Sequence, residues 1–337
     1  MTDAAEGASV AEGRAGATGW NPRHWGTRTW STVVVLLFLA IAPPAAYFLD
    51  EPFYLDMGIR LVCLAIAAVS LNLILGYGGM ISFGHAAYIG IGAYCVGIPA
   101  FHDLNSGWLH FPLAVGVAAL FALVTGAVCL RTKGVHFIMI TLAFAQMVYF
   151  LFVSLEAYGG DDGLLIYYRS EFSGLFDIDD NFNLYIVCFV TLLVSMYLVH
   201  RIVNSRFGMV LRGSKGNDPR MRAVGYNTYA YRLTAYVISA SICAFAGALL
   251  GNFTNFISPE MMAWSRSGEL IFMVILGGAG TILGPVAGAI AFLALEEVLS
   301  GFTIYWQLIF GLILILIVLY LKGGIVSVLG KRLPEDG

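Results

Sequence analysis

Charge is what this sequence has least of. Only 12% of its 337 residues are Asp, Glu, Lys or Arg, against about a quarter in an ordinary soluble domain, and that shortfall argues against a soluble fold. A net charge of −3 supplies no concentrated basic face, so nucleic acid is not an expected partner. The five cysteines, Cys63, Cys95, Cys129, Cys188 and Cys243, stand singly in apolar stretches without a CxxC pair. That leaves them as small packing residues rather than a disulfide framework. None of Lys133, Lys215, Lys322 and Lys331 is both preceded by Gly and followed by Ser or Thr, so no phosphate-cradling G-x-x-x-x-G-K-[ST] loop exists and the chain has no ATPase site of that kind. G-x-S-x-G and H-E-x-x-H are missing too, and with them any recognisable hydrolase or metal centre. Acids within the apolar runs are few, Glu296 and Glu297 near the end of one and Glu269 at the entrance to another. Ion-driven carriers bury titratable groups along their route, so a self-sufficient carrier is disfavoured.

What the chain has in excess is apolar side chains, 59%, and glycine, 39 residues. A helix needs about 20 residues to cross a hydrocarbon layer of roughly 30 Å. Runs of that kind lie near 31–49, 57–75, 81–100, 111–130, 135–155, 183–203, 233–255 and 304–321. The apolar stretch 268–300 is interrupted by Gly277, Gly278, Gly280, Gly284 and Pro285 and divides into a broken helix to about 282 and another from about 285. The expectation is an all-α integral membrane protein of about ten transmembrane helices, or eight if that region and one other do not fully cross. The run from Ser31 to Phe48 is long for a cleaved signal and is followed by further spans, so a retained first helix is expected. Residues 1–30 read as a disordered N-terminal tail, 31–325 as the membrane domain, and 326–337 as a C-terminal tail.

Lys and Arg are retained on the cytoplasmic side when they lie in short loops. Arg14, Arg23, Arg28, Arg131, Lys133, Lys322, Lys331 and Arg332 fall in alternate segments, as do all seven basic residues of 201–232. Acids concentrate in the intervening loops at 50–56, 101–110, 156–182 and 256–267, with Arg169 and Arg266 as exceptions and Arg60 near a boundary. Both termini are therefore expected inside, which requires an even number of crossings.

The densest motif runs from Gly76 to His85, with Gly78, Gly79, Ser82 and Gly84 between them. Glycine allows backbone angles closed to other residues and lets helices approach, while Ser82, His85 and freed amides offer hydrogen bonds to a polar solute at membrane depth. Non-helical backbone there needs cover from protein or a watery cavity. Plain helix packing, with Gly84, Tyr88 and Gly92 on one face, is the competing and compatible reading. His85 stands alone, so no metal site is expected. In the second glycine run, Gly280, Gly284 and Gly288 at spacing four suggest a close helix contact, and Pro285 a kink or break. The 201–232 loop is basic but for Asp218, which suits either anionic lipid headgroups or a docked soluble partner. The string Tyr158–Leu164 lacks the alternating acids of a calcium loop.

Taken in order, Leu71 to Gly79, Ser82 to Tyr88, Thr141 to Gln146, Gly159 to Leu164, Gly225-Tyr226-Asn227, Ala246-Gly247-Ala248 and Leu276 to Ala289 closely resemble the permease subunits of ATP-driven importers for leucine, isoleucine and valine. The resemblance covers about 57–325. It implies a heteromeric assembly in the bacterial cytoplasmic (inner) membrane: a homologous second permease, two cytoplasmic ATP-binding subunits that carry ATP and magnesium, and an extracytoplasmic solute-binding protein. No cofactor is expected in this chain. The translocation path is expected at Gly78, Gly79, Ser82, Gly84 and His85, with Thr141 and Gln146. The resemblance also implies an ATPase-coupling segment around Arg212, Lys215, Asn217, Asp218, Arg220 and Gly225. Arg220, Met221 and Arg222 depart from the small or acidic residues of that segment, and Tyr158 replaces a threonine. Related permeases carry urea, short amides or aromatic acids, so the solute stays open at this point.

Overall fold

A computed structural model describes residues 27–48, 52–172, 178–302, 305–320 and 324–325. Most of the expected N-terminal tail and the whole of the C-terminal one lie outside the described residues. The helices are α1 (Thr27–Phe48), α2 (Pro52–Asn72), α3 (His85–Phe101), α4 (Gly107–Cys129), α5 (Val135–Val153), α6 (Asn181–Val203), α7 (Arg206–Gly216), α8 (Asp218–Ala223), α9 (Thr228–Thr254), α10 (Trp264–Gly277), α11 (Gly284–Phe302) and α12 (Trp306–Tyr320). Two-residue strands β1 (Leu164–Leu165) and β2 (Phe256–Ile257) pair antiparallel. Among the described residues, six helical segments are long and apolar enough to cross a membrane: Phe53–Tyr77, α4, α5, α6, α9 and α11. The other four apolar runs fold as α1, α3, α10 and α12, whose apolar helical stretches are shorter.

Side chains are sorted in the manner a lipid solvent demands. On α4 the buried residues Ala114, Ala118, Ala122, Thr125 and Cys129 recur every three or four positions, while Leu113, Val117, Leu120, Val124 and Val128 on the other side are exposed. Lipid tails are as apolar as leucine, so large side chains gain little by leaving them, whereas small ones let helices approach and gain dispersion contacts. Helix α2 has no such exposed stripe beyond its first turn. It is hydrophobic all round and buried nearly throughout, the mark of a bundle centre, and it packs against α6, α9, α10 and α11. Helices α3 and α9 pack backbone to backbone. A β-carbon on Gly92 would collide with the main chain of Ala244, and one on Gly247 with that of Ile89. All five cysteines are free, and Cys63 and Cys188 touch, with their sulfurs 3.7 Å apart, at the contact between α2 and α6.

Loops of like predicted sidedness gather at the same end. Of the acidic set, Leu164 pairs with Ile257, Gly107 N–H donates to Glu171 O at 2.8 Å, and Asn181 Nδ2 donates to Asp56 Oδ1 at 2.8 Å. Of the basic set, Lys133 reaches Asp218. The two glycine runs depart from their expected outlines. The span placed at 81–100 begins only at His85, because Gly78–Gly84 is not helical. The one placed at 268–282 ends at Gly277; the expected break follows it, and Pro285 sits in the first turn of α11, where its missing N–H costs nothing. Gly280 is in the connecting loop at φ +82°, so the close contact is made instead by Gly277 against Gly284 and Gly288.

Candidate functional site

Helix α2 does not stop cleanly. Leu73–Tyr77 widens into a π-helical turn, a feature that recurs at functional sites. The chain then leaves the helix through Gly79 at φ +68°, the left-handed conformation that ends helices and that glycine adopts without a Cβ penalty. Gly79 N–H donates to Leu75 O at 3.2 Å and Met80 N–H to Ile74 O at 2.9 Å. Residues 79–84 then run as irregular backbone to α3. Asn72 secures this break to the second glycine run. Its Nδ2 donates to Thr281 O at 2.7 Å and its Oδ1 accepts from Gly280 N–H at 2.9 Å. Two motifs some 200 positions apart thus form one junction, with Gly76 packed on the Gly280 backbone.

The expected path residues fall into three environments. Ser82, Gly84 and His85 are buried and Thr141 joins them, its hydroxyl accepting from Phe83 N–H at 3.3 Å. His85 Nε2 lies 2.9 Å from Ser239 Oγ, and Ser239 spends its one proton on Ser70 O. The ring therefore donates from Nε2, which leaves Nδ1 as a bare, unpartnered acceptor in the interior. Tyr88 and Tyr236 flank the imidazole edge-on, their hydroxyls 3.0 Å apart. Gly78 and Gly79 instead border a cavity of about 200 Å³, with Lys133, Phe137, Lys215 and Arg232 on its wall. Gln146 is half-buried, five residues beyond Thr141 on α5 and so about 7.5 Å further along that helix.

The coupling residues divide by what they hold. Arg212 caps the end of α6, its Nη2 donating to Val203 O at 3.1 Å. Lys215 Nζ donates to Gly76 O at 2.7 Å, so α7 touches the break in α2 directly. Asn217 caps α8 by accepting from Arg220 N–H at 3.0 Å. Arg220 and Gly225, the latter at φ +97°, are exposed. Asp218 is buried among Lys133, Arg222 at 3.2 Å and Arg232 at 3.8 Å, tying α8 to the α4–α5 connection and to α9.

Burial alone would raise the Asp218 pKa. The hydrogen bonds from Lys133 and Thr228 and the charges of Arg232 and Lys133 outweigh it and hold the carboxyl at about 2, below its ordinary 3.8. A depressed folded-state value means the contribution is complete above about pH 4 and fades as pH falls through 2, so no change in α8 docking from this group is expected between pH 5 and 8. Asp218→Asn should cost about 2 kcal/mol, less whatever screening reaches the exposed Lys133 and Arg222. Faster tryptic cleavage at Arg220 and Arg222 is the expected readout, and wild-type cleavage rates would remove Asp218 as the anchor.

A profile of the family described as branched-chain amino acid transport system, permease component, matches residues 54–319. The chain belongs to this family. Among its relatives, the high-affinity branched-chain amino acid transport system permease protein LivM of Escherichia coli K12 is 25% identical over 324 residues, covering 89% of this chain and 76% of the relative. LivH of the same organism is 26% identical over 303 residues, covering 83% and 96%. A probable LivM of Methanocaldococcus jannaschii is 24% identical over 315, covering 77% and 89%. No solved structure matches the chain. The protein is thus a multi-pass membrane permease subunit of this importer family, a component that lacks its own ATPase site. Sequence reasoning missed Asn72, Ser239 and the Tyr88–Tyr236 pair. Asn72 falls within the first motif, but nothing local marks its partner some 200 residues away.

Proposed function

We propose that the chain forms half of the translocation path of an ATP-driven, binding-protein-dependent importer of branched-chain amino acids in the bacterial cytoplasmic membrane. In this reading it crosses the bilayer ten times with both termini inside. It pairs with a homologous permease and docks through α7–α8 on one of two cytoplasmic subunits that bind ATP and magnesium, while an extracytoplasmic binding protein delivers the solute. Gly78, Gly79, Ser82, Gly84, His85, Thr141 and Gln146 border or shape the path, and Arg212, Lys215, Asn217, Asp218, Arg220 and Gly225 form the coupling segment.

One observation carries this reading: the Lys215 ammonium holds the Gly76 carbonyl at the point where α2 unwinds. Movement of α7 by a docked ATPase is thereby passed to the irregular segment 79–84 without an intermediary. The docking face supports it, since Met209, Val224 and Tyr226 are exposed on this basic hairpin. Coupling requires the ATPase to favour two permease conformations by different amounts, because a ligand indifferent to conformation shifts nothing.

The test is reconstitution of the co-purified complex in proteoliposomes loaded with ATP, with the binding protein and solute outside. Uphill uptake of leucine, isoleucine or valine should require ATP and all subunits. Uptake of urea, an amide or an aromatic acid in their place would change the solute, and uphill transport by the chain alone under an ion gradient would overturn the mechanism.

A further inference from the structure

A cavity of about 210 Å³ lies between α2, α3, α9 and α10, at the end of the bundle where the acidic loops gather. None of the expected path residues lines it. Leu64, Ile89, Leu250 and Phe253 give it apolar lining, and Arg60, Arg266 and Glu269 line the same cavity. Arg60 sits eight residues into α2, about 12 Å along its axis, and is bonded to Glu296 of α11 at 3.1 Å. Arg266 and Glu269, one turn apart on α10, meet at 3.0 Å. Two ion pairs thus meet at one apolar cavity, and a largely apolar pocket with a few convergent charged groups is a binding-site candidate.

The arrangement has the polarity of one kind of molecule. In an α-amino acid the carboxylate and ammonium hang from a single carbon, so a complementary wall must present a cation and an anion side by side, with an apolar face for the side chain. Arg266 and Glu269 supply the first, and Leu64, Ile89, Leu250 and Phe253 the second. A guanidinium takes a carboxylate through two parallel N–H bonds, and Arg60, its charge already met by Glu296, leaves Arg266 as the guanidinium beside Glu269. The Arg266–Glu269 pair is partly exposed, at 42% and 31% of their side-chain surfaces. Such a pair contributes little to stability, so a zwitterion can insert between its members without breaking a strong bond.

We infer that this cavity is a subsite of the permease for a zwitterionic, apolar α-amino acid, with Arg266 receiving the carboxylate and Glu269 the ammonium. The inference rests on the importer reading above and adds to it a place where the solute is held by this chain after release from the binding protein.

Equilibrium binding of radiolabelled leucine to the purified complex, without binding protein, tests it. Leucine should compete at least tenfold better than leucinamide, which lacks the carboxylate, and than 4-methylpentanoate, which lacks the ammonium. Arg266→Gln should abolish the advantage over leucinamide and leave that over 4-methylpentanoate, and Glu269→Gln should do the reverse. A merely structural ion pair would alter both ratios equally or neither, and either result overturns the assignment. Met261→Trp, which fills the cavity without touching the charges, should weaken leucine and both analogues together, and undiminished binding would also overturn it. Leucine uptake by the complete importer with no leucine binding to the permease sinks the subsite and leaves the importer reading intact. Failure of the complete importer to move any amino acid sinks both.

Discussion

In the assembled importer, Lys215→Glu is expected to lower solute uptake by at least tenfold while the partner ATPases continue to hydrolyse ATP. The lysine gives up a charge-assisted hydrogen bond to the Gly76 carbonyl, worth about 1.5–3 kcal/mol, and the new carboxylate repels the oxygen its predecessor held. About 1.4 kcal/mol is a factor of ten in an equilibrium, so the link between α7 and the break in α2 weakens ten- to roughly a hundredfold. Lys215 is the cleaner probe than its neighbour Arg212, whose guanidinium caps α6 and whose loss would disturb the docking hairpin itself. Paired measurements of uptake and ATP turnover in proteoliposomes decide the matter. Unchanged stoichiometry would take α7 out of the mechanism.

The second large effect is expected at Gly84. A β-carbon there would lie 3.2 Å from the Thr141 carbonyl oxygen and 3.5 Å from Ser82 Oγ, tight but within reach of a shift of a few tenths of an ångström. Gly84→Ala should therefore keep most uptake. Gly84→Leu must push the start of α3 away from α5, and overpacking of that kind costs about 1–3 kcal/mol, occasionally more. Uptake should fall more than tenfold, while membrane insertion, which follows the hydropathy of whole spans, stays normal. Quantifying the variant in purified membranes separates the two. A leucine variant that inserts and transports normally would refute the role given to segment 79–84.

The helices were legible because each apolar run is long and uninterrupted, and apolar length is what lipid selects. Where glycine intervenes, hydropathy is a poorer guide to the backbone. Hydropathy places residues 81–84 and 278–282 in helices, yet Gly79, Gly278 and Gly280 all adopt positive φ, and hydropathy does not register a backbone angle. The glycine spacing of 280, 284 and 288 suggests one helical face, whereas the chain breaks between the first and second of them. The meeting of the two glycine runs through Asn72, and of Arg60 with Glu296, depends on how helices far apart in sequence are arranged. No local period records that. Family likeness locates the coupling residues, but no local pattern marks that the Lys215 ammonium reaches Gly76 while Arg220 stays exposed.

The widened turn at Leu73–Tyr77 has a geometric corollary. A turn closed five residues apart instead of four holds one amino acid more than the regular spiral requires. Returning that surplus to the regular spiral would rotate everything beyond it by one residue's step, about 100°, and translate it about 1.5 Å, while the part of α2 packed below stays where it is. The bundle's most enclosed helix thus keeps a single residue of slack at its exit, at the carbonyl that Lys215 grips.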